Sequence, residues 1–202
     1  MRILVAITGA SGIIYGRRLA EELKGGALRK GASGGGKAGR AADRRGAHQG
    51  GGHEVYVVAS EGAKKVAAAE GEKLPESDYD ENDFSSPFAS GSNAADAMVV
   101  CPCSLKTLGE IANGVGSNLV ARAAEVMLKE RRKLVLVVRE TPLSYIAIKN
   151  MEKVTLAGGV ILPACPGFYH KPRKVLDLVD FVVGKTLDQI GVENKLFKRW
   201  GK

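Results

Sequence analysis

With 202 residues, 45% of them hydrophobic and 5% aromatic, and with 26 glycines, the chain can bury one proper core and suits an α/β protein better than a β-sandwich. Its 30 Lys and Arg against 22 Asp and Glu leave a net charge of +8, which raises nucleic acid as a partner. Much of that excess is local to residues 24–52, where Lys24, Arg29, Lys30, Lys37, Arg40, Arg44 and Arg45 face only Asp43; no stacking aromatic or nucleic-acid motif accompanies them, so nucleic acid is not the expected partner. No apolar run approaches membrane-spanning length, and the N-terminus enters an apolar strand at once, without room for a signal peptide. Three cysteines, two of them in the apolar VVCPC, do not make a disulfide framework. The expected setting is the reducing cytoplasm, with no membrane association.

In chain order, RILVAI at 2–7 reads as a first strand, TGASG at 8–12 as a Gly-rich turn, and about Ile13 to Leu23 as an amphipathic helix. Strand, Gly-rich turn and helix form an anion-binding arrangement, because backbone N–H groups and the helix dipole both favour phosphate and the Ser11 hydroxyl can add to them. Residues 24–52 are Gly-rich, basic and almost devoid of large apolar side chains. They cannot build a core and read as a flexible insertion in a single domain spanning 1–202.

EVYVVAS reads as a second strand ending at Ser60, followed by a helix from about Glu61 to Glu70. The acidic stretch 71–93 contains ESDYDEND, which superficially looks like the Asp-rich metal motif of diphosphate chemistry. Its acids lack the helical DDxxD spacing, and it reads as a solvated loop with no metal. Within SPFASGSN, small hydroxylic residues around Gly91 let a backbone approach a ligand closely. AMVVC at 97–101 is a third, buried strand, and PCSLKT at 102–107 places Ser104, Lys106 and Thr107 at a strand-to-helix turn.

The helix expected over 118–131 carries an apolar face of Leu119, Ala123, Val126 and Met127; Arg122 and Lys129, seven apart, share another side. LVLVV at 134–138 reads as a strand buried on both faces that delivers Arg139 and Glu140 to its carboxyl end, where open α/β sheets bind ligands. A helix over about Leu143–Leu156, a strand over 158–164, the turn-rich CPGFYHKP with Tyr169 and His170, and a helix over about Lys174–Ile190 carrying Lys185 complete the chain. Repeated β-α units predict a doubly wound parallel sheet in three α/β/α layers with right-handed crossovers. Hydroxyls and cations dominate the strand ends and adjacent loops, which suits one or two phosphate-bearing ligands.

TGASG, VVCPCSLKT, NLVARAAEVMLKERRKLVLVVRETPLS, LPACPGFYHKP and DLVDFVVGKTLDQIG, in this order, resemble the signatures of the UbiX-like flavin prenyltransferases over nearly the whole chain except 24–52. The resemblance implies a flavodoxin-like Rossmann fold and a homo-oligomer, a dodecamer. It implies transfer of a dimethylallyl group from dimethylallyl monophosphate to N5 and C6 of reduced FMN without metal, the prenylated FMN serving a UbiD-like decarboxylase. Carried over by position, Gly9, Ala10, Ser11, Ser60, Ser104, Leu105, Lys106, Thr107 and Arg139 would hold FMN. Tyr169 and Lys185 would hold the prenyl phosphate, with Arg122, Lys129 and Glu140 completing the pocket across subunits and Ser90, in the SGS segment, lining it. Glu140, Glu70, Ser11 and Lys129 would be catalytic, Glu70 matching an acid that acts near the flavin during ring closure. Two features depart from the family: Lys185 stands where other members carry Arg, a point charge in place of a bidentate fork, and the family lacks the 24–52 insertion. That insertion is expected at the end of the sheet opposite the site.

Three rival readings remain at this stage. A short-chain-dehydrogenase-like NAD(P) oxidoreductase would use TGASGIIYG and the Tyr145/Lys149 YxxxK pair, but Arg132 and Lys133 occupy the region of its serine and Ser60 stands where an acid would bind ribose. A related FMN-dependent cysteine decarboxylase would need a PxMNxxMW-like segment, which is missing. The third is a non-catalytic flavin-binding or basic scaffold protein.

Overall fold

The computed structural model describes residues 1–29 and 52–201. In chain order the elements are β1 (Arg2–Ile7), α1 (Ile13–Arg29), β2 (Glu54–Ala59), α2 (Glu61–Glu70), β3 (Ala97–Cys103), α3 (Leu105–Ala112), α4 (Leu119–Lys129), β4 (Lys133–Val138), α5 (Tyr145–Leu156), β5 (Val160–Ile161) and α6 (Val175–Ile190). Two 3-10 turns, Pro87–Ala89 and Gly91–Asn93, precede β3. All strand pairs are parallel and the order is β2-β1-β3-β4-β5, the flavodoxin-like doubly wound order.

The period-2 alternation of the strands divides the core into two layers. Ile3, Val5, Ile7, Val99, Val135 and Val137 face one side with Leu19, Leu23, Val183 and Leu187 of α1 and α6. Leu4, Ala6, Met98, Val100, Leu134 and Leu136 face the other with Leu108, Leu119, Ala123 and Met127 of α3 and α4. Both faces are covered, which is why β1, β3 and β4 read as continuous apolar runs.

Helix starts follow from side-chain caps. Ser60, Ser104, Asn118 and Ser144 each sit at an N-cap and accept from the backbone N–H three residues on. The Ser144 cap starts α5 at Tyr145, two residues later than expected, and the Asn118 cap starts α4 at Leu119. Helix α1 continues to Arg29, six residues into the stretch expected to be a featureless insertion; residues 30–51 lie outside the described residues. The strand expected over 158–164 shrinks to Val160–Ile161, although Leu162 and Ala164 still donate to the Leu136 and Val138 carbonyls at 2.9 Å. The acidic loop is anchored rather than merely solvated: Asp78 pairs with Val57 of the edge strand β2 through both its backbone N–H and its carboxylate.

Candidate active site

Three helices begin above the carboxyl ends of β1, β2 and β3, and each N-terminus has a different occupant. At α1 it is Glu70, the last residue of α2, whose carboxylate accepts from the Gly12 N–H at 2.7 Å and the Ile13 N–H at 3.0 Å. Burial would raise the Glu70 pKa; hydrogen bonds from the Ser11 hydroxyl and the two amides, with the Arg139 charge, outweigh it and hold the carboxyl below its usual range. Two of the N–H groups that make the Gly-rich turn look like a phosphate cradle are therefore already satisfied by a carboxylate of the same chain. At α2, Ser60 caps Ala63 and the Glu81 carboxylate takes the Glu61 N–H at 2.6 Å.

The third start, α3, is the open one. Ser104 caps Thr107, and neither Leu105 nor Lys106 has a protein acceptor for its N–H among the described residues. Lys106 is exposed, with only a 3.7 Å approach to Glu110. Thr8, 1% exposed, fixes this turn against β1: its hydroxyl donates to the Pro102 carbonyl at 2.8 Å and accepts the Ser104 N–H at 2.9 Å. Arg139 leaves β4 beside it and is anchored by its Nε, which donates to the Ser11 carbonyl at 2.9 Å; its two terminal nitrogens have no protein partner among the described residues. Gly9 allows the first two turns to close up, since a Cβ there would stand 2.9 Å from the Gly62 backbone. Gly9, Ala10, Ser11, Ser60, Ser104–Thr107, Arg139 and Glu70 are thus brought together at the strand ends.

The remaining predicted residues lie elsewhere. The Arg122 Nε donates to the Ala89 carbonyl at 3.1 Å, and Lys129, ion-paired with Glu130, packs against Gly91, so Ser90, Arg122 and Lys129 make a second group. Lys129 precedes the start of β4 whereas Arg139 follows its end; six strand residues at about 3.3 Å each separate them by about 20 Å. Glu140, next to Arg139 in the chain, is exposed and its Oε1 accepts the Thr141 N–H at 3.0 Å. Tyr169 sits in an aromatic cluster with His170, Phe181 and Trp200, and Lys185 is exposed on α6. The start of β2, which follows 30–51, lies at the amino-terminal edge of the sheet, the edge that also carries Lys129; residues 30–51 themselves, expected at the end of the sheet opposite the site, lie outside the described residues.

Residues that pattern reading missed are Thr8, Tyr15 and Trp200. Tyr15 lies against Gly12, and burial together with the nearby Cys101 and Cys165 sulfurs raises its phenol pKa despite the Arg139 charge. Trp200, the only tryptophan in an aromatic-poor chain, was the available signal for its neighbourhood. The YxxxK pair is an accident of helix sequence: Tyr145 is 75% exposed, and Lys149 pairs with Glu152 on the α5 surface.

The family model named Flavoprotein matches residues 45–187. The flavin prenyltransferase UbiX of Methanocaldococcus jannaschii is 44% identical over 208 residues, covering 100% of this chain and 99% of its own. The chain belongs to the flavin prenyltransferase family. Among solved structures, AnUbiX (PadA1), in complex with FMN and dimethylallyl pyrophosphate, is 39% identical with a TM-score of 0.82 over 100% of this chain and 97% of its own. The dodecameric FMN-dependent UbiX-like decarboxylase of Escherichia coli O157:H7 is 35% identical with a TM-score of 0.80, covering 100% of both chains. As a flavin prenyltransferase the chain keeps the parallel sheet and the loop chemistry at its strand ends; the oxidoreductase reading is not favoured.

Proposed function

We propose that this flavin prenyltransferase joins a dimethylallyl group from dimethylallyl monophosphate to reduced FMN. The observation that carries the reading is the open α3 turn with Lys106, set beside the unpaired terminal nitrogens of Arg139: a ready-made anion seat at the strand ends. When bound, reduced FMN supplies the electron-rich N5 and C6 that accept the prenyl group.

The protein's own contribution is electrostatic and positional. Tyr169 and Lys185, with Arg122, Lys129 and Ser90 from a neighbouring subunit, stabilise the departing phosphate dianion through cations and hydroxyls. Those residue types suit a monophosphate; an Asp-rich loop holding magnesium on a diphosphate is a different device. Glu70 is held in the carboxylate form by Ser11, Gly12 and Ile13, so it orients the Ser11 hydroxyl and places a negative charge beside the flavin. Glu140, with Oε2 uncommitted, is the proton-handling carboxylate. An apolar wall excludes water from the allylic cation as its bond to phosphate breaks.

Lys129 and Arg139 stand at opposite edges of one sheet, and this supports a site completed between subunits of a dodecamer. Exposed Leu143, Tyr145, Ile146, Ile148 and Leu156 on and beside α5 give such an assembly an apolar surface to bury. The same reading makes 1–202 a single domain with an insertion at 24–52, places the protein in the cytoplasm and delivers its product to a UbiD-like decarboxylase. Anaerobic incubation with reduced FMN and dimethylallyl monophosphate, and in parallel dimethylallyl pyrophosphate, tests the chemistry. The expected product is flavin heavier by one prenyl group, formed faster from the monophosphate; unmodified flavin with both donors sinks the reading.

A further inference from the structure

The last ten described residues fold back over α6 and carry no role so far. Asp188 holds them: its carboxylate receives both terminal nitrogens of Arg199, one at 2.7 Å, and the Asn194 Nδ2 at 3.0 Å. Asn194 also donates to the Gly184 carbonyl at 3.1 Å. Phe197, 8% exposed, fills the space that Gly184 leaves open, and the Arg199 guanidinium lies 4.7 Å over its ring. This tie sets Trp200 edge-on to Tyr169, with centroids 5.2 Å apart, although Trp200 itself is 79% exposed. Between them is a cavity of about 160 Å³ lined by Tyr169, His170, Lys198, Arg199, Trp200 and Gly201.

Asp188 is three residues beyond Lys185, one helical turn along α6. Its carboxyl is held below its usual range chiefly by the Arg199 hydrogen bonds, with Asn194 and the Lys185 charge assisting. Arg199 is thus neutralised by Asp188, while Lys198, on the wall of the Tyr169 cavity, and Lys185, one turn before Asp188, have no ion-pair partner among the described residues.

We propose that Asp188 is a positioning residue for the phosphate end of the prenyl donor: it latches the C-terminal strap 192–201 so that Lys198 and Trp200 form one wall of the Tyr169 cavity. This rests on the donor reading of Tyr169 and Lys185 given above. Without the latch, Arg199 and Asn194 lose a charged acceptor and the strap moves away from Tyr169.

Trp200 is the only tryptophan, so its emission reports the strap directly. Asp188→Asn and, from the other side, Arg199→Gln are expected to change the intensity of Trp200 emission as its edge-on contact with Tyr169 is lost. Each should raise KM for dimethylallyl monophosphate roughly tenfold, the effect of losing a charge-assisted hydrogen bond, with kcat and FMN affinity little changed. Asp188→Glu should restore most of the loss. Titration with inorganic phosphate, read by Trp200 emission, follows the latch without turnover and should need more phosphate in the two disrupting variants. If wild-type protein makes no prenylated flavin but the variants still weaken the phosphate response, the donor reading fails and the latch stands. If prenylation proceeds in wild type while Asp188→Asn leaves KM and emission unchanged, the latch is overturned. Joint loss of FMN and donor binding without rescue by Glu overturns it too, because Asp188 would then be holding the fold.

Discussion

The Glu70 carboxylate meets Gly12 and Ile13 where a phosphate was expected, and its electrostatics set a measurable pH dependence. Its folded pKa is lowered, so the stabilisation it provides is fully present above the unfolded value, about 4.3, and is lost as pH falls through the folded value. Glu70→Gln should therefore lower stability near neutral pH by about 1 kcal/mol, the scale of a lost helix cap. The gap from wild type should narrow as pH falls below the unfolded value, in urea unfolding compared at neutral and acid pH. A second single-residue constraint sits one turn into α1: a Cβ on Gly16 would run into the Cys101 carbonyl and stand 3.0 Å from Ile7 Cγ1. Gly16→Ala should cost about 1–3 kcal/mol as overpacking against β3, read as a lowered urea midpoint with unchanged slope.

Elements were legible to the extent that their signals were local. β1, β3 and β4 are unbroken apolar runs buried on both faces, and the period of α4 gave its buried side directly. β5 was overread because GGVILPA is apolar along its length while only Val160 and Ile161 pair regularly. Whether an apolar segment becomes a ladder depends on the twist and reach of its neighbour, which no local pattern records. Within β4, Leu136 is completely buried between β3 and β5. Leu136→Ala should cost about 3 kcal/mol in equilibrium unfolding, the usual size of a truncated core leucine. Asn118→Ala, removing the cap on a buried helix start, should cost about 1 kcal/mol by the same measurement.

At the scale of the whole molecule, the parallel sheet sends the loops after β1, β2, β3 and β4 to one edge and leaves Lys129, at the end of α4, at the other. A shared site makes a specific demand on mixed oligomers. Lys129→Ala and Lys185→Ala should each be nearly inactive alone, yet oligomers assembled from both should recover prenylated flavin, because some sites then receive the intact half from each chain. Mass-spectrometric product yield from mixed and unmixed preparations decides it; no recovery on mixing would place both lysines in one chain's site.

The amino-acid sequence by itself determined the α/β class, the buried strands and the delivery of Ser104, Lys106 and Arg139 to strand ends, since each of these rests on periodicity or on chemistry within a few positions. Only the tertiary structure decided that Glu70 occupies the Gly-rich turn, that α3 offers the open amides, that Asp188 ties down the tail carrying Trp200, and that Lys129 stands about 20 Å from Arg139. Those outcomes depend on which side chain wins a shared donor across 10 to 60 residues of chain, and on strand length and direction. A one-dimensional pattern lists the competitors; the packed sheet settles the contest.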